Sequence, residues 1–256
     1  LLEPSGKPTD LLAGTTLVTE RGFSGVPTNS GEEFNATWTP EGTGIIFVAS
    51  RNRDVSAYAN SNTHLYLLSG ESREPRQLTS GTDSASDPSF RHDGKALYFH
   101  LTAENDNAYN LTRLAMLPWP SGQPRVITSA FDRSVGSFVF SADSKTIFLL
   151  AEDSGHEKLY EVSAEGGEVK TAIDLTAGVY TNLAAADAAP ILVANWGSAV
   201  SPPEIVRIDL SARGHEPLTR FNRDRVAAID WQPLREFWFT SKGGKRIHNL
   251  IALPPA

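Results

Sequence analysis

The chain has 256 residues with 23 basic and 30 acidic side chains, a formal charge of −7, and 40% hydrophobic and 21% charged content, which places it among folded globular proteins. The acidic balance disfavours a general nucleic-acid surface, since Lys242, Lys245 and Arg246 only flank a turn, and no apolar stretch has the length of a membrane-spanning helix. With no cysteine, a disulfide framework and thiolate chemistry are excluded, while reducing and oxidising compartments both stay open.

In chain order, LLEPSGKPTDLLAG at residues 1–14 reads as the end of a unit that starts upstream. NATWTPEGTGIIFVAS at 35–50 then gives strand, turn, strand: Pro40 and Gly42 interrupt any helix, and β-branched Ile45 and Ile46 favour extended structure. HLYLLS at 64–69 and RQLT at 76–79 supply a third and a fourth strand. The same series returns as DPSFRHDGKALYFHLT (87–102), LTRLAML (111–117) and RVIT (125–128). It returns again as SFVFSADSKTIFLLAE (137–152), KLYEVS (158–163) and the weaker EVKTAID (168–174). Trp38, Phe90 and Phe140 stand 52 and 50 residues apart, and each is followed four residues later by Gly42, Gly94 or Ser144. A degenerate unit follows in TNLAAADAAPILVANW (181–196), EIVRIDL (204–210) and EPLT (216–219), and RVAAIDW (225–231) is expected to begin another.

Four short strands per period predict an all-β chain of radial blades, a β-propeller with WD40-like or TolB-like repeats. About five units are visible: residues 1–30, 31–80, 81–131, 132–176 and 177–222, with 223–235 starting a closing segment after them and completing a partial propeller over 1–235. Residues 236–256 form a separate hairpin. There Phe237 and Phe239 alternate with Trp238, Gly243 and Gly244 permit a tight reversal, and Leu250 breaks the alternation of Ile247, Ile251 and Leu253, giving the second strand apolar area on more than one face.

WTPEG, FRHDG and FSADS resemble variants of the tryptophan-serine-proline-aspartate-glycine turn in the non-catalytic propeller of prolyl oligopeptidase family serine peptidases. Residues 131–155, 195–208 and 216–222 are similar to successive late-blade segments of its bacterial acylaminoacyl-peptidase and dipeptidyl-aminopeptidase-like branch, and 236–255 resembles the crossing into the hydrolase domain. The resemblance implies a propeller of seven or eight blades with some upstream, and a C-terminal α/β-hydrolase domain as partner. It also implies a short peptide as substrate, cleaved by the parent at dipeptidyl- or acylaminoacyl-peptide bonds, no cofactor, and a bacterial setting with the periplasm ahead of the cytoplasm. The alternative is an independent TolB-like propeller that binds proteins or peptides.

No Gly-x-Ser-x-Gly occurs; Ser24 in GFSGV and Ser198 in WGSAV lack the second glycine, so catalytic residues are expected beyond Ala256. The six histidines show no short metal-ligand spacing and read as surface or packing residues, so no metal is expected. In AENDNAYN, Glu104 and Asp106 match the acidic part of a glutamate-x-aspartate-arginine pattern of the family, which implies recognition of a peptide amine, although Asn107 replaces the arginine. Asp132, Arg133 and Ser134 in FDRS are expected to be structural, a charged pair and a hydroxyl fixing the start of a blade.

Overall fold

The computed structural model describes residues 36–50, 62–70, 72, 74–105, 107 and 109–254. The expected unit at 1–30 and the site residue Asp106 lie outside them. The chain divides into two compact units, Leu1–Ser129 and Ala130–Ala256.

In the first unit, β1 (Ala36–Trp38), β2 (Gly44–Ala49), β3 (His64–Ser69) and β4 (Arg76–Gln77) form an antiparallel sheet in sequence order. A second such sheet contains β5 (Ser84–Phe90), β6 (Ala96–Thr102), β7 (Thr112–Pro118) and β8 (Arg125–Val126). Alternation along β2 sends Ile46 and Val48 to one face, where they cluster with Leu65, Leu97, Phe99 and Leu117. Phe47 and Ala49 point the other way, and Phe47 stacks on Tyr66 at 5.8 Å. Each such large side chain, fully buried, contributes about 1.5–3 kcal/mol.

In the second unit, β9 (Phe138–Phe140), β10 (Thr146–Asp153), β11 (His156–Ser163) and β12 (Lys170–Ile173) make a third sheet. The fourth comprises β13 (Val179–Ala185), β14 (Leu192–Ser198), β15 (Ser201–Asp209) and β16 (Gly214–Pro217). Phe148, Leu150 and Leu159 of the third sheet share a core with Tyr180, Leu192 and Val206 of the fourth. The degenerate stretch before residue 196 thus supplies two strands, with a register shift between Thr181 and Ala184 and Asn182 at φ 51°.

The repeated turns have one geometry. The amide N–H groups of Gly42, Gly94 and Ser144 donate to the carbonyls of Thr39, Arg91 and Ser141, each at 2.8 Å, and all three residues are left-handed at φ 69°, 70° and 59°. Glycine takes this conformation without a Cβ clash, whereas serine holds it at a cost.

The outer strands also follow a rule. In three sheets the threonine ending the fourth-strand motif accepts a hydrogen bond from a third-strand amide: Leu65 to Thr79 at 3.0 Å, Leu114 to Thr128 at 2.9 Å and Ile205 to Thr219 at 2.9 Å. The hydroxyl satisfies an N–H that the short outer strand leaves over. In the third sheet Asp174 stands at this position and binds Lys158 at 2.7 Å instead, which is why EVKTAID departs from the motif.

The RVAAIDW stretch opens in a short helix, α1 (Arg223–Ala227), none of whose residues is buried. The Glu204 carboxylate accepts from the Asn222 amide at 2.7 Å, Val226 donates back to the Asn222 carbonyl, and Asp224 suits the first turn. The chain then forms the hairpin β17 (Arg235–Thr240) and β18 (Arg246–Ile251), a sheet of two strands. Its reversal uses Gly244, at φ 80°, whose amide donates to Ser241.

Candidate functional site

In the first unit, Glu104 lies exposed just beyond β6, at the start of the loop to β7. The hydroxyls of Thr102 and Thr112 meet at 3.0 Å across the base of that loop, and the Asn105 side chain accepts from the Asn107 amide at 2.9 Å. Tyr109 is 72% exposed on the same loop, so an aromatic ring and a carboxylate are both offered to solvent. On the neighbouring strands His100 is buried, with Nδ1 2.9 Å from the Asp87 carboxylate, which also accepts from Ser86. Asp87 sits at φ 52° where β5 shifts register between Ser86 and Ser89. Sequence reasoning placed His100 among surface or packing histidines and missed its aspartate partner; the Asp87-Pro88 step inside a strand was the available signal.

In the second unit, Arg133 bonds to Asp132 and, at 3.0 Å, to Asp153. Lys158, buried, spans Asp153 at 3.1 Å and Asp174 at 2.7 Å. Burial would raise the Asp153 carboxyl, but hydrogen bonds from Arg133, Lys158 and Ser154 outweigh it and hold the group at about 2. Burial likewise opposes the charge on Lys158, and the two aspartates override it and raise its pKa. The network ties the segment before β9 to the β10–β11 turn. Ser134 is half-buried in the same segment. Beside it a cavity of about 420 Å³ is lined by Phe131, Asp132, Arg133, Tyr160 and Glu168.

The terminal hairpin has two unlike faces. Register pairs Phe239 with Ile247 and Arg235 with Ile251, so Phe237, Phe239, Ile247 and Ile251 share one face, and they are 48%, 48%, 37% and 40% exposed. On the other face Trp238 stacks on His248 at 4.4 Å beneath the Arg246 guanidinium, and Glu236 pairs with Leu250. This face meets the β10–β11 turn: a Cβ on Gly155 would come within 2.8 Å of Leu250 Cδ1, and Glu236 lies 3.3 Å from His156. Leu250 is thus on the face opposite to the odd-numbered residues, as its place in the sequence requires. The His156–Glu236 contact joins residues far apart in the chain, and no local signal announces it.

Among the described residues no group of three histidine, aspartate or glutamate side chains has metal-binding geometry. No known protein-family profile matches the chain. In sequence it is 24% identical over 231 residues to dipeptidyl-peptidase 5 of Porphyromonas gingivalis, spanning 88% of this chain and 32% of that protein. In structure it is similar to an acylaminoacyl peptidase in complex with Z-Gly-Gly-Phe-chloromethyl ketone, at TM-score 0.63 and 19% identity over 84% of this chain and 31% of the other. It is also similar to the β-propeller domain of the trilobed protease from Pyrococcus furiosus, at TM-score 0.54 and 16% identity over 73% and 52% of the two chains. The four-stranded antiparallel sheets are therefore blades of the β-propeller class.

Proposed function

We propose that this β-propeller chain, related in sequence to dipeptidyl-peptidase 5, is the non-catalytic part of a serine peptidase that admits short peptides and docks a hydrolase domain. The observation that carries the reading is the hairpin, which offers Phe237, Phe239, Ile247 and Ile251 on one open face after the last blade. An apolar face of this kind, at the point where blade repetition stops, suits burial by a following domain. The parent reaction is hydrolysis of dipeptidyl- or acylaminoacyl-peptide bonds, with serine, histidine and aspartate supplied by that domain.

Glu104 and Asp106 are the proposed contacts to the substrate amine, Glu104 being exposed on its loop. Asp132, Arg133 and Ser134 keep a structural role, fixing the start of the third blade. The test is hydrolysis of free and N-acylated dipeptidyl chromogenic substrates by the natural full-length protein. Glu104→Gln and Asp106→Asn are expected to raise KM for free-amine substrates by about ten-fold with little change in kcat, as loss of a charge-assisted hydrogen bond would. Unchanged selectivity in both variants removes them from the site, and a natural reading frame without a hydrolase domain favours the TolB-like interaction reading.

A further inference from the structure

The fourth sheet and α1 border a groove of about 290 Å³ that the docking reading does not use. Register sets Trp196 opposite Glu204 and Val206 opposite Pro217, so alternation puts all four on one face of β14–β16, and half-buried Val226 of α1 adds to the lining. The Trp196 ring is held in place. Its indole N–H donates to the Ala177 carbonyl at 3.3 Å, and its centroid lies 4.9 Å from that of His215. The apolar wall is therefore formed before a ligand arrives.

The rim carries positive charge. Arg220 and Arg223, both exposed, line the groove, and the Arg223 amide donates to the Arg220 carbonyl at 3.4 Å, so the two side chains leave a single turn. Among the described residues neither guanidinium has a carboxylate partner. Glu204, the carboxylate in the lining, is engaged elsewhere: one oxygen accepts from the Asn222 amide at 2.7 Å and the other from the Thr219 hydroxyl. Those bonds tie residues 219–222 to β15 and set both arginines beside the apolar groove, two cations against one carboxylate in a chain of formal charge −7.

We propose that the groove binds the C-terminal end of a short peptide whose last residue is aromatic or branched aliphatic. The last side chain fills the space beside Trp196, Val206 and Pro217, and the α-carboxylate accepts hydrogen bonds from Arg220 and Arg223. The volume is close to the lower limit of about 300 Å³ for small-ligand sites, which suits one side chain with its main chain and excludes a folded partner. The apolar wall calls for a hydrophobic body, and planar guanidinium groups match a carboxylate through paired hydrogen bonds. In a terminal residue that body and a free carboxylate hang on the same carbon. The site belongs to the fourth blade and rests neither on a hydrolase domain nor on Glu104.

The test is isothermal titration of this chain with N-acetyl-alanyl-phenylalanine, which ends in a free carboxylate. Saturable one-to-one binding is expected, weakened by about ten-fold or more for the C-terminal amide of the same dipeptide, and by a similar factor in Arg220→Gln and in Arg223→Gln. Should a variant fail to fold, the unsubstituted protein decides: in nitrogen-15 correlation spectra the Trp196 indole and the Val226 amide are expected to shift during the titration while the Trp38 indole stays in place. Equal affinity for acid and amide, inorganic phosphate bound as tightly as the peptide, octanoate bound more tightly than the peptide, or unmoved Trp196 and Val226 signals would each overturn the proposal. Loss of the docking reading would leave all these results as they are, so the two readings fail separately.

Discussion

Ser144 occupies the turn position that glycine holds in two other blades, with φ 59° against 69° and 70°. Ser144→Gly removes the Cβ strain and gives back part of that gain as unfolded-chain entropy, so chemical denaturation is expected to show a net stabilisation of about 0.5–1 kcal/mol. Asp153 provides a pH test. Its carboxyl is held at about 2 in the folded chain against an ordinary value of 3.8, so its contribution is complete above the ordinary value and lost as pH falls towards the folded one. Asp153→Asn is expected to cost about 2 kcal/mol at neutral pH and progressively less between about pH 4 and pH 2. At this scale legibility followed distance in the chain. The turn glycines and Asp132–Arg133 were visible as local patterns, whereas Asp153, which binds Arg133, and Lys158, which bridges Asp153 to Asp174, come together only through strand pairing.

At the scale of the element, the threonine that ends the fourth-strand motif in three of the sheets acts for a strand too short to complete its ladder. Thr128 is fully buried, and its hydroxyl accepts from the Leu114 amide at 2.9 Å. Thr128→Val keeps the shape and removes the acceptor, so denaturant titration is expected to show a loss of about 1–3 kcal/mol; no loss would mean that the amide finds another partner. RQLT, RVIT and EPLT carried this feature openly in the sequence. What the sequence did not carry was α1. Val226 within it and Ile229 and Trp231 just beyond it look like strand residues, but Glu204 holds the Asn222 amide and starts a turn of helix there. A contact from a preceding strand thus decides a local conformation that propensity leaves open.

For the molecule as a whole, the fold class was readable because a period of about fifty residues repeats one strand-turn-strand pattern, and each blade needs only its neighbours to bury its faces. The candidate site was less readable. Glu104 is exposed on its loop, while the pairing of His156 with Glu236 arises only once the hairpin lies against a blade. The central claim is that the open face of that hairpin belongs against a following hydrolase domain. Hydroxyl-radical footprinting of Phe237 and Phe239 in this chain and in the natural full-length protein tests it most directly. The account predicts ready oxidation here and oxidation slower by about ten-fold or more in the full-length protein, as for residues at the core of a domain interface. Equal oxidation of both rings in the two proteins would contradict it.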